Sequence, residues 1–99
     1  MFYVYILFSK STDRYYIGHT SNVNRRLEEH NHPDEFSKYT AKGIPWNLIL
    51  SFEISHSRGD ARKVEKFIKM QKSRSFILKL ISEKDNRDFL EELIKNILK

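Results

Sequence analysis

Residues 2–8 read FYVYILF and residues 15–19 read YYIGH, and these two stretches decide the fold. The first is a continuous run of aromatic, β-branched and other apolar residues, which predicts a strand over Phe2–Phe8. Because this run is apolar on both faces, we expect the strand to lie in the centre of a sheet. The second run predicts another short strand over Tyr15–His19. Only the polar segment Ser9–Arg14 separates the two, so an antiparallel hairpin is favoured.

The rest of the chain alternates between helix and strand patterns. The first of these is a helix over Val23–His30, capped by Ser21 or Asn22, which is followed by a long loop over Asn31–Pro45 and a strand over Trp46–Ile54. A helix then starts between Ser57 and Asp60 and runs to about Lys72. A short helix from Ser73 or Arg74 through Ile81 and a last helix capped by Asp85 or Asn86 complete the chain. The order β-β-α-β-α-α-α predicts an α+β fold, in which a small antiparallel sheet of about three strands is flanked by helices.

Length and composition restrict the class of protein. A chain of 99 residues predicts one domain, with a core over about residues 2–82 and a C-terminal helix over about residues 85–98. No stretch approaches the ~20 apolar residues of a membrane span. The apolar start lacks the basic leader of a signal peptide. Cysteine is absent, which excludes disulfides and thiolate metal sites, and a cytoplasmic location is expected.

The positive charge is concentrated in one segment. The whole chain carries a formal net charge of +5, whereas residues 58–82 alone hold eight basic side chains against two acidic ones. A basic stripe of this kind points to phosphate-bearing partners. The alternative is a lysine-rich helix face that is simply exposed to solvent.

Two tyrosines of the hairpin are candidates for chemistry. Side chains alternate along a strand, so Tyr3, Tyr5 and Leu7 share one face of the first strand, and Tyr16 shares a face with Gly18 in the second. The hairpin then brings Tyr5 within reach of Tyr16, with hydroxyls available for hydrogen bonding. The alternative is that these tyrosines only cover a half-buried sheet.

The first helix carries a polar stripe. Asn22, Arg26 and His30 follow at i, i+4 and i+8 and therefore lie on one face. An arginine beside a histidine suggests a phosphate clamp combined with a proton-handling group. The alternative is an ordinary exposed face whose arginines pair with neighbouring glutamates.

Glu65 is one of only two acids in the basic segment. A single carboxylate among cations would suit a hard divalent ion, because Mg²⁺ often uses one or two protein carboxylates and completes its shell with water and phosphate. The alternative is a local ion pair with Lys69 at i+4. Four isolated histidines without cysteine argue against a structural zinc site, and no glycine-rich phosphate loop is present.

Taken together, these features resemble the GIY-YIG nuclease family. Tyr3-Val4-Tyr5 corresponds to the first half of its motif and Tyr16-Ile17-Gly18 to the second. The tract from Tyr16 to His30 and the segment around Glu65 match the family in order and spacing. Ser37-Lys38-Tyr39-Thr40 and Pro45 look like the small single-domain branch, and the resemblance covers roughly residues 2–82. One position departs from the pattern, since Tyr3 stands where glycine is usual.

The resemblance implies a divalent-metal-dependent endonuclease that hydrolyses phosphodiester bonds, with DNA favoured over RNA and branched or damaged structures as candidate targets. It implies that Glu65 binds Mg²⁺ or Mn²⁺ and that Arg26 stabilises charge on the phosphate. Tyr5, Tyr16 and His30 are the candidates for activating or positioning water, and the choice among them stays open. As a base, a tyrosine of pKa ~10 needs either a lowered pKa or a relay.

The expected contacts to nucleic acid are polar or basic residues of two helices, namely Asn22, Arg25, Arg62, Lys66, Lys69 and Lys72. A homodimer or a separate targeting protein is a further expected partner. Two other functions remain open: a non-catalytic nucleic-acid-binding module of the same fold, and a protein-interaction domain whose last helix docks a partner.

Overall fold

The computed structural model describes residues 1–32 and 41–99. Its three strands form one antiparallel sheet in the order β2-β1-β3: β1 (Phe2–Ser9), β2 (Arg14–Thr20) and β3 (Trp46–Ser55). Within the described part of the chain there are four helices: α1 (Val23–Asn31), α2 (Arg58–Met70), α3 (Arg74–Ser82) and α4 (Arg87–Ile97). The predicted α+β class and element order are confirmed.

The central strand is β1, as its two-faced apolar sequence predicts. Val4, Tyr5, Ile6 and Leu7 are all at most 1% exposed, because β1 pairs with β2 on one side and β3 on the other. The alternation of side chains divides these four residues between two clusters. Val4 and Ile6 enter the larger core, and Tyr5 and Leu7 enter a smaller one.

The larger core lies between the sheet and helices α2, α3 and α4. Buried side chains from these helices fill it, namely Val64, Ile68, Leu80 and Leu90. The apolar face of α4 packs against the same core through Phe89, Leu93, Ile94, Ile97 and Leu98. The apolar face of α4 is therefore partly buried against its own chain.

Helix starts follow the capping residues of the sequence. The side chains of Asn22, Ser57, Ser73 and Asn86 each accept a hydrogen bond from the backbone N–H three residues later. Each such cap contributes about 1 kcal/mol. None of the helices within residues 1–32 and 41–99 is both long and apolar enough to cross a membrane.

Several element ends differ from the sequence expectation by one or two residues, and two of these differences have a clear physical cause. Helix α2 ends at Met70 rather than near Lys72, which has a φ of 47° in the left-handed region and cannot continue a helix. Asn31 is the last residue of α1 rather than part of a loop, and its side-chain amide bonds both the N–H and the C=O of Trp46. Most of the predicted loop, including Ser37–Thr40, lies outside the described residues.

The smaller core depends on a glycine. Gly18 of β2 stands directly opposite Tyr5 of β1, and a Cβ at Gly18 would overlap the Tyr5 phenol, whose Cζ would be 2.6 Å away. Tyr5 is 1% exposed and has no room to retreat. The second half of the sequence motif therefore supplies the space in which this phenol lies.

We predict that Gly18→Ala destabilises the protein by about 1–3 kcal/mol, the usual cost of overpacking a core. Urea denaturation measures this change. The matched control is Gly59→Ala in the first turn of α2, where a Cβ would meet only Ser57 Oγ at 3.5 Å and helix propensity favours alanine. Equal stability of Gly18→Ala and the wild type would contradict the prediction.

Candidate active site

The candidate site surrounds the edge strand β2. One face of this strand looks toward α1 and the other toward α2, because successive side chains point to opposite faces. Tyr16 belongs to the smaller core on the α1 face, while His19 contacts a residue of α2. Side chains from both faces therefore meet around one edge of the sheet.

On the α1 face, a tyrosine pair and a histidine form one aromatic cluster. The Tyr5 hydroxyl lies 3.1 Å from His30 Nε2, within hydrogen-bond distance. The Tyr16 ring centroid lies 6.3 Å from that of Tyr5 and 4.7 Å from that of His30. Trp46 closes the cluster at 6.1 Å from Tyr16. The structure thus brings together Tyr5, Tyr16 and His30.

The polar stripe predicted on α1 ends in a buried residue, because His30 is only 3% exposed. Its imidazole faces the sheet, where the Tyr5 hydroxyl and the surrounding rings replace water. Asn22 caps the helix, and Arg26 is half-buried. The three residues lie on the same side of α1, but Asn22 is exposed, Arg26 is half-buried and His30 is buried.

Arg26 is the cation of this cluster. Its guanidinium donates to Glu29 Oε1 at 3.2 Å, an exposed pair that adds little stability. Burial lowers the pKa of Arg26, but hydrogen bonding to Tyr5 and Glu29 outweighs burial and leaves the pKa raised. The guanidinium is therefore charged at any working pH and lies close to the phenol.

The pKa values of Tyr5 and His30 are shifted in opposite directions. Burial raises the pKa of Tyr5 to about 12, although the nearby Arg26 lowers it. Burial and the positive charge of Arg26 lower the pKa of His30 to about 4. At neutral pH the phenol keeps its proton and the imidazole is neutral.

This divergence bears on the relay that the sequence suggested. The raised pKa of the phenol and the lowered pKa of the imidazole both oppose transfer of a proton from Tyr5 to His30 in the free protein. The lowered pKa that a tyrosine base would need without a relay is not found for Tyr5, because burial raises its pKa. Tyr5 and His30 form a hydrogen-bonded pair in this structure.

On the α2 face, Glu65 is held by two donors. His19 Nδ1 lies 2.7 Å from Oε1, and Lys69 Nζ lies 2.8 Å from Oε2. Burial raises the pKa of Glu65, but the hydrogen bonds from Lys69 and His19 outweigh burial and lower it. Glu65 is therefore an anion at neutral pH. The i, i+4 pair with Lys69 that the sequence suggested is present.

His19 is the site residue that sequence reasoning missed. In the sequence it stands as one of four isolated histidines. The available signal was its place on β2 beside Gly18, where alternation turns it away from Tyr16 and toward the helix that follows β3. Its partner lies 46 residues away in sequence, so spacing alone gives no hint of the contact.

Four of the six residues expected to contact nucleic acid line one groove. This groove, of about 670 Å³, runs along α2 and contains His19 and Glu65 together with Arg62, Lys66, Lys69 and Lys72. Asn22 and Arg25 lie on α1 instead and do not line it. Tyr3, the residue that departs from the motif, lines a different cavity beside β3 and α4.

The donor set around Glu65 fits a hard divalent cation. No group of three or more His, Asp or Glu side chains that could hold a metal occurs within residues 1–32 and 41–99, so the site offers one carboxylate. That carboxylate is ionised and its side chain is 19% exposed. Mg²⁺ and Mn²⁺ accept such a site because water and phosphate oxygens complete their coordination, whereas structural zinc requires four protein ligands.

Comparisons with known proteins agree with this geometry. The sequence model described as the GIY-YIG catalytic domain matches residues 1–79. Two Streptococcus agalactiae proteins, UPF0213 protein SAG0778 and UPF0213 protein gbs0798, are each 36% identical over 84 residues, covering 85% of this chain and 91% of theirs. No solved structure matches significantly.

A third relative is the structure-specific endonuclease subunit SLX1 homolog of Brugia malayi. It is 44% identical over a 55-residue alignment that covers 48% of this chain. The match spans only 16% of that protein's own length. The family model covers most of this chain, and the UPF0213 proteins align along nearly their full length. The chain therefore belongs to the GIY-YIG nuclease family, whose catalytic domain it carries over residues 1–79.

Proposed function

We propose that this protein is a divalent-metal-dependent endonuclease that hydrolyses phosphodiester bonds in DNA. The observation that carries the proposal is the position of Glu65. An ionised carboxylate lies in a groove of basic side chains, close enough to the Tyr5 phenol to influence its pKa. The proposal is supported by a carboxylate of the kind that hard cations prefer, beside a surface whose charge suits phosphate.

Glu65 would hold Mg²⁺ or Mn²⁺, which, when bound, supplies Lewis-acid stabilisation of charge on the phosphate oxygens. In this structure Lys69 Nζ donates to Glu65 Oε2 at 2.8 Å, and the Lys69 side chain is 48% exposed. Such an i, i+4 pair is worth only a few tenths of a kcal/mol. Lys69 is therefore free to turn from the carboxylate to a phosphate in the groove.

Arg26 stabilises negative charge that develops on the phosphate in the transition state. A guanidinium suits this task because it is always charged and offers several donors in a fixed plane. Its exposed contact with Glu29 is weak and exchangeable. The remaining neighbour, Tyr5, keeps the guanidinium beside the aromatic cluster.

Tyr5 and His30 hold the position from which water attacks. The negative charge of Glu65 is one of the influences that raise the pKa of Tyr5. Neutralising that carboxylate favours ionisation of the phenol, which links cation binding to the basicity of Tyr5. Tyr16 lies between the two halves of the site, since its ring contacts His30 and lies 5.8 Å from Lys69 Nζ.

The printed name of the Brugia malayi relative describes a structure-specific endonuclease subunit. This supports branched DNA as the substrate class to test first. It also supports a partner protein, or a second copy of the chain, as the source of targeting. This chain matches only 16% of that relative's length.

A second candidate function is a non-catalytic nucleic-acid-binding module. The observation in its favour is that both oxygens of Glu65 already have partners, as in a purely structural ion pair. The two functions share the basic groove and differ only in whether bound nucleic acid is cut.

We predict that the purified protein cuts at least one member of a panel of single-stranded, duplex, flap and junction DNA in Mg²⁺ or Mn²⁺. Glu65→Ala and Glu65→Gln should lower the cleavage rate by about 100-fold or more, because the cation loses its carboxylate ligand. Binding of the DNA should be largely unchanged. The matched control is Glu92→Gln, an exposed glutamate of α4. Wild-type protein that binds the panel and cuts none of it would favour the binding module.

We predict that pH acts on the protein through His30 well below neutrality. The unfolded state binds more protons than the folded state between pH 6.5 and about 4, so the free energy of unfolding falls as the pH falls through this window. The loss from this one group is up to about 3 kcal/mol. Urea denaturation against pH should show a flatter profile for His30→Gln. A titration midpoint of the His30 ring near 6.5 by NMR would contradict the account.

We predict that the α2 groove dominates the salt dependence of binding. Arg62→Gln and Lys66→Gln should each weaken DNA binding and reduce the slope of log affinity against log salt by about 1. Lys95→Gln is the control, because Lys95 lines the cavity beside β3 and α4. Equal slopes for all three variants would show that the groove does not hold the phosphate backbone.

A further inference from the structure

His19 of β2 contacts two oppositely charged side chains of α2, Glu65 and Arg58. Its Nδ1 lies 2.7 Å from Glu65 Oε1, and its Nε2 lies 3.3 Å from an Arg58 guanidinium nitrogen. His19 and Glu65 are each 19% exposed, so their contact is shielded from most of the solvent. Among the described residues this imidazole is thus the bridge between β2, the start of α2 and the carboxylate in the middle of α2.

The two neighbours of the imidazole require one tautomer. A guanidinium can only donate, so the nitrogen that faces Arg58 must present its lone pair. An ionised carboxylate can only accept, so the nitrogen that faces Glu65 must carry the proton. Both contacts are satisfied when the proton is on Nδ1 and Nε2 accepts from Arg58. Arg58 is itself held over the Phe2 ring, with its guanidinium carbon 4.7 Å from the ring centroid.

The two donors to Glu65, Lys69 and His19, differ in how firmly their side chains are held. Lys69 is an exposed, flexible side chain on the same helix, and its ammonium also lies near the Tyr16 ring. His19 is anchored in the sheet, and its ring has one fixed direction for the Nδ1 proton. A carboxylate oriented by a rigid donor at Oε1 leaves Oε2 as the oxygen that can change partners.

We infer that His19 is a positioning residue for Glu65: it fixes Oε1 through Nδ1–H, with Arg58 setting its tautomer, so that Oε2 faces the basic groove. The inference rests on the proposed function for its consequence in catalysis. Partners that orient a ligating side chain commonly change metal affinity by about 10- to 100-fold when they are removed.

The first test uses the wild-type protein without metal. Two-dimensional ¹H–¹⁵N NMR of the histidine rings reports which nitrogen of His19 carries the proton. The expected result is a protonated Nδ1 and an unprotonated Nε2, with no variant and no activity required. A neutral ring protonated on Nε2 would overturn the inference, whatever the protein does to nucleic acid.

The second test compares two variants of similar size. His19→Asn keeps an N–H close to the position of Nδ1, whereas His19→Leu has no donor. Titration calorimetry with Mn²⁺ alone should show affinity reduced about 10- to 100-fold in His19→Leu and largely restored in His19→Asn. Urea denaturation of the same variants separates loss of folding from loss of positioning.

The outcomes distinguish this inference from the proposed function. Unchanged Mn²⁺ affinity in folded His19→Leu overturns the positioning role but leaves metal binding by Glu65 intact. Equal loss in both folded variants also overturns it, because the imidazole would then act in some way that an amide donor cannot replace. If wild-type protein binds no Mn²⁺, the proposed metal dependence fails, and the tautomer measurement still decides whether His19 orients Glu65.

Discussion

The hydrogen bond between the Tyr5 hydroxyl and His30 is the constraint on which the rest of the site depends. Both groups are buried, at 1% and 3% exposure, and a buried polar group without a partner costs several kcal/mol. Their pairing fixes how α1 lies on the sheet, because His30 must reach the middle of β1. Arg26, one turn earlier on α1, is thereby brought beside the same phenol.

Gly18 provides the space for that bond. Any side chain at this position would overlap the Tyr5 ring from the neighbouring strand. The two halves of the motif are thus one structural unit, in which one half supplies the phenol and the other half the room for it. The aromatic cluster belongs to the smaller core and extends to β2 at the edge of the sheet.

Much of this architecture could be predicted from sequence because it is encoded locally. An apolar run on both faces indicated that β1 is central, capping residues marked the helix starts, and the i, i+4 spacing indicated the Glu65–Lys69 pair. The burial of His30 could not be predicted, because helical spacing says which side of α1 it occupies and not what covers that side. The contact of His19 with Glu65 could not be predicted either, since it joins residues 46 apart. The raised pKa of Tyr5 could not be predicted either, because it results mainly from burial in the folded chain.

The central claim is that Glu65 holds a divalent cation between the basic groove and the aromatic cluster. Paramagnetic relaxation by Mn²⁺ tests it most directly, since signals of nuclei near the ion broaden first. At substoichiometric Mn²⁺, the account predicts selective broadening of the NMR signals of His19, Glu65 and Lys69, while those of α4 stay sharp. Broadening centred elsewhere in the chain, or the same pattern in Glu65→Ala, would contradict the claim.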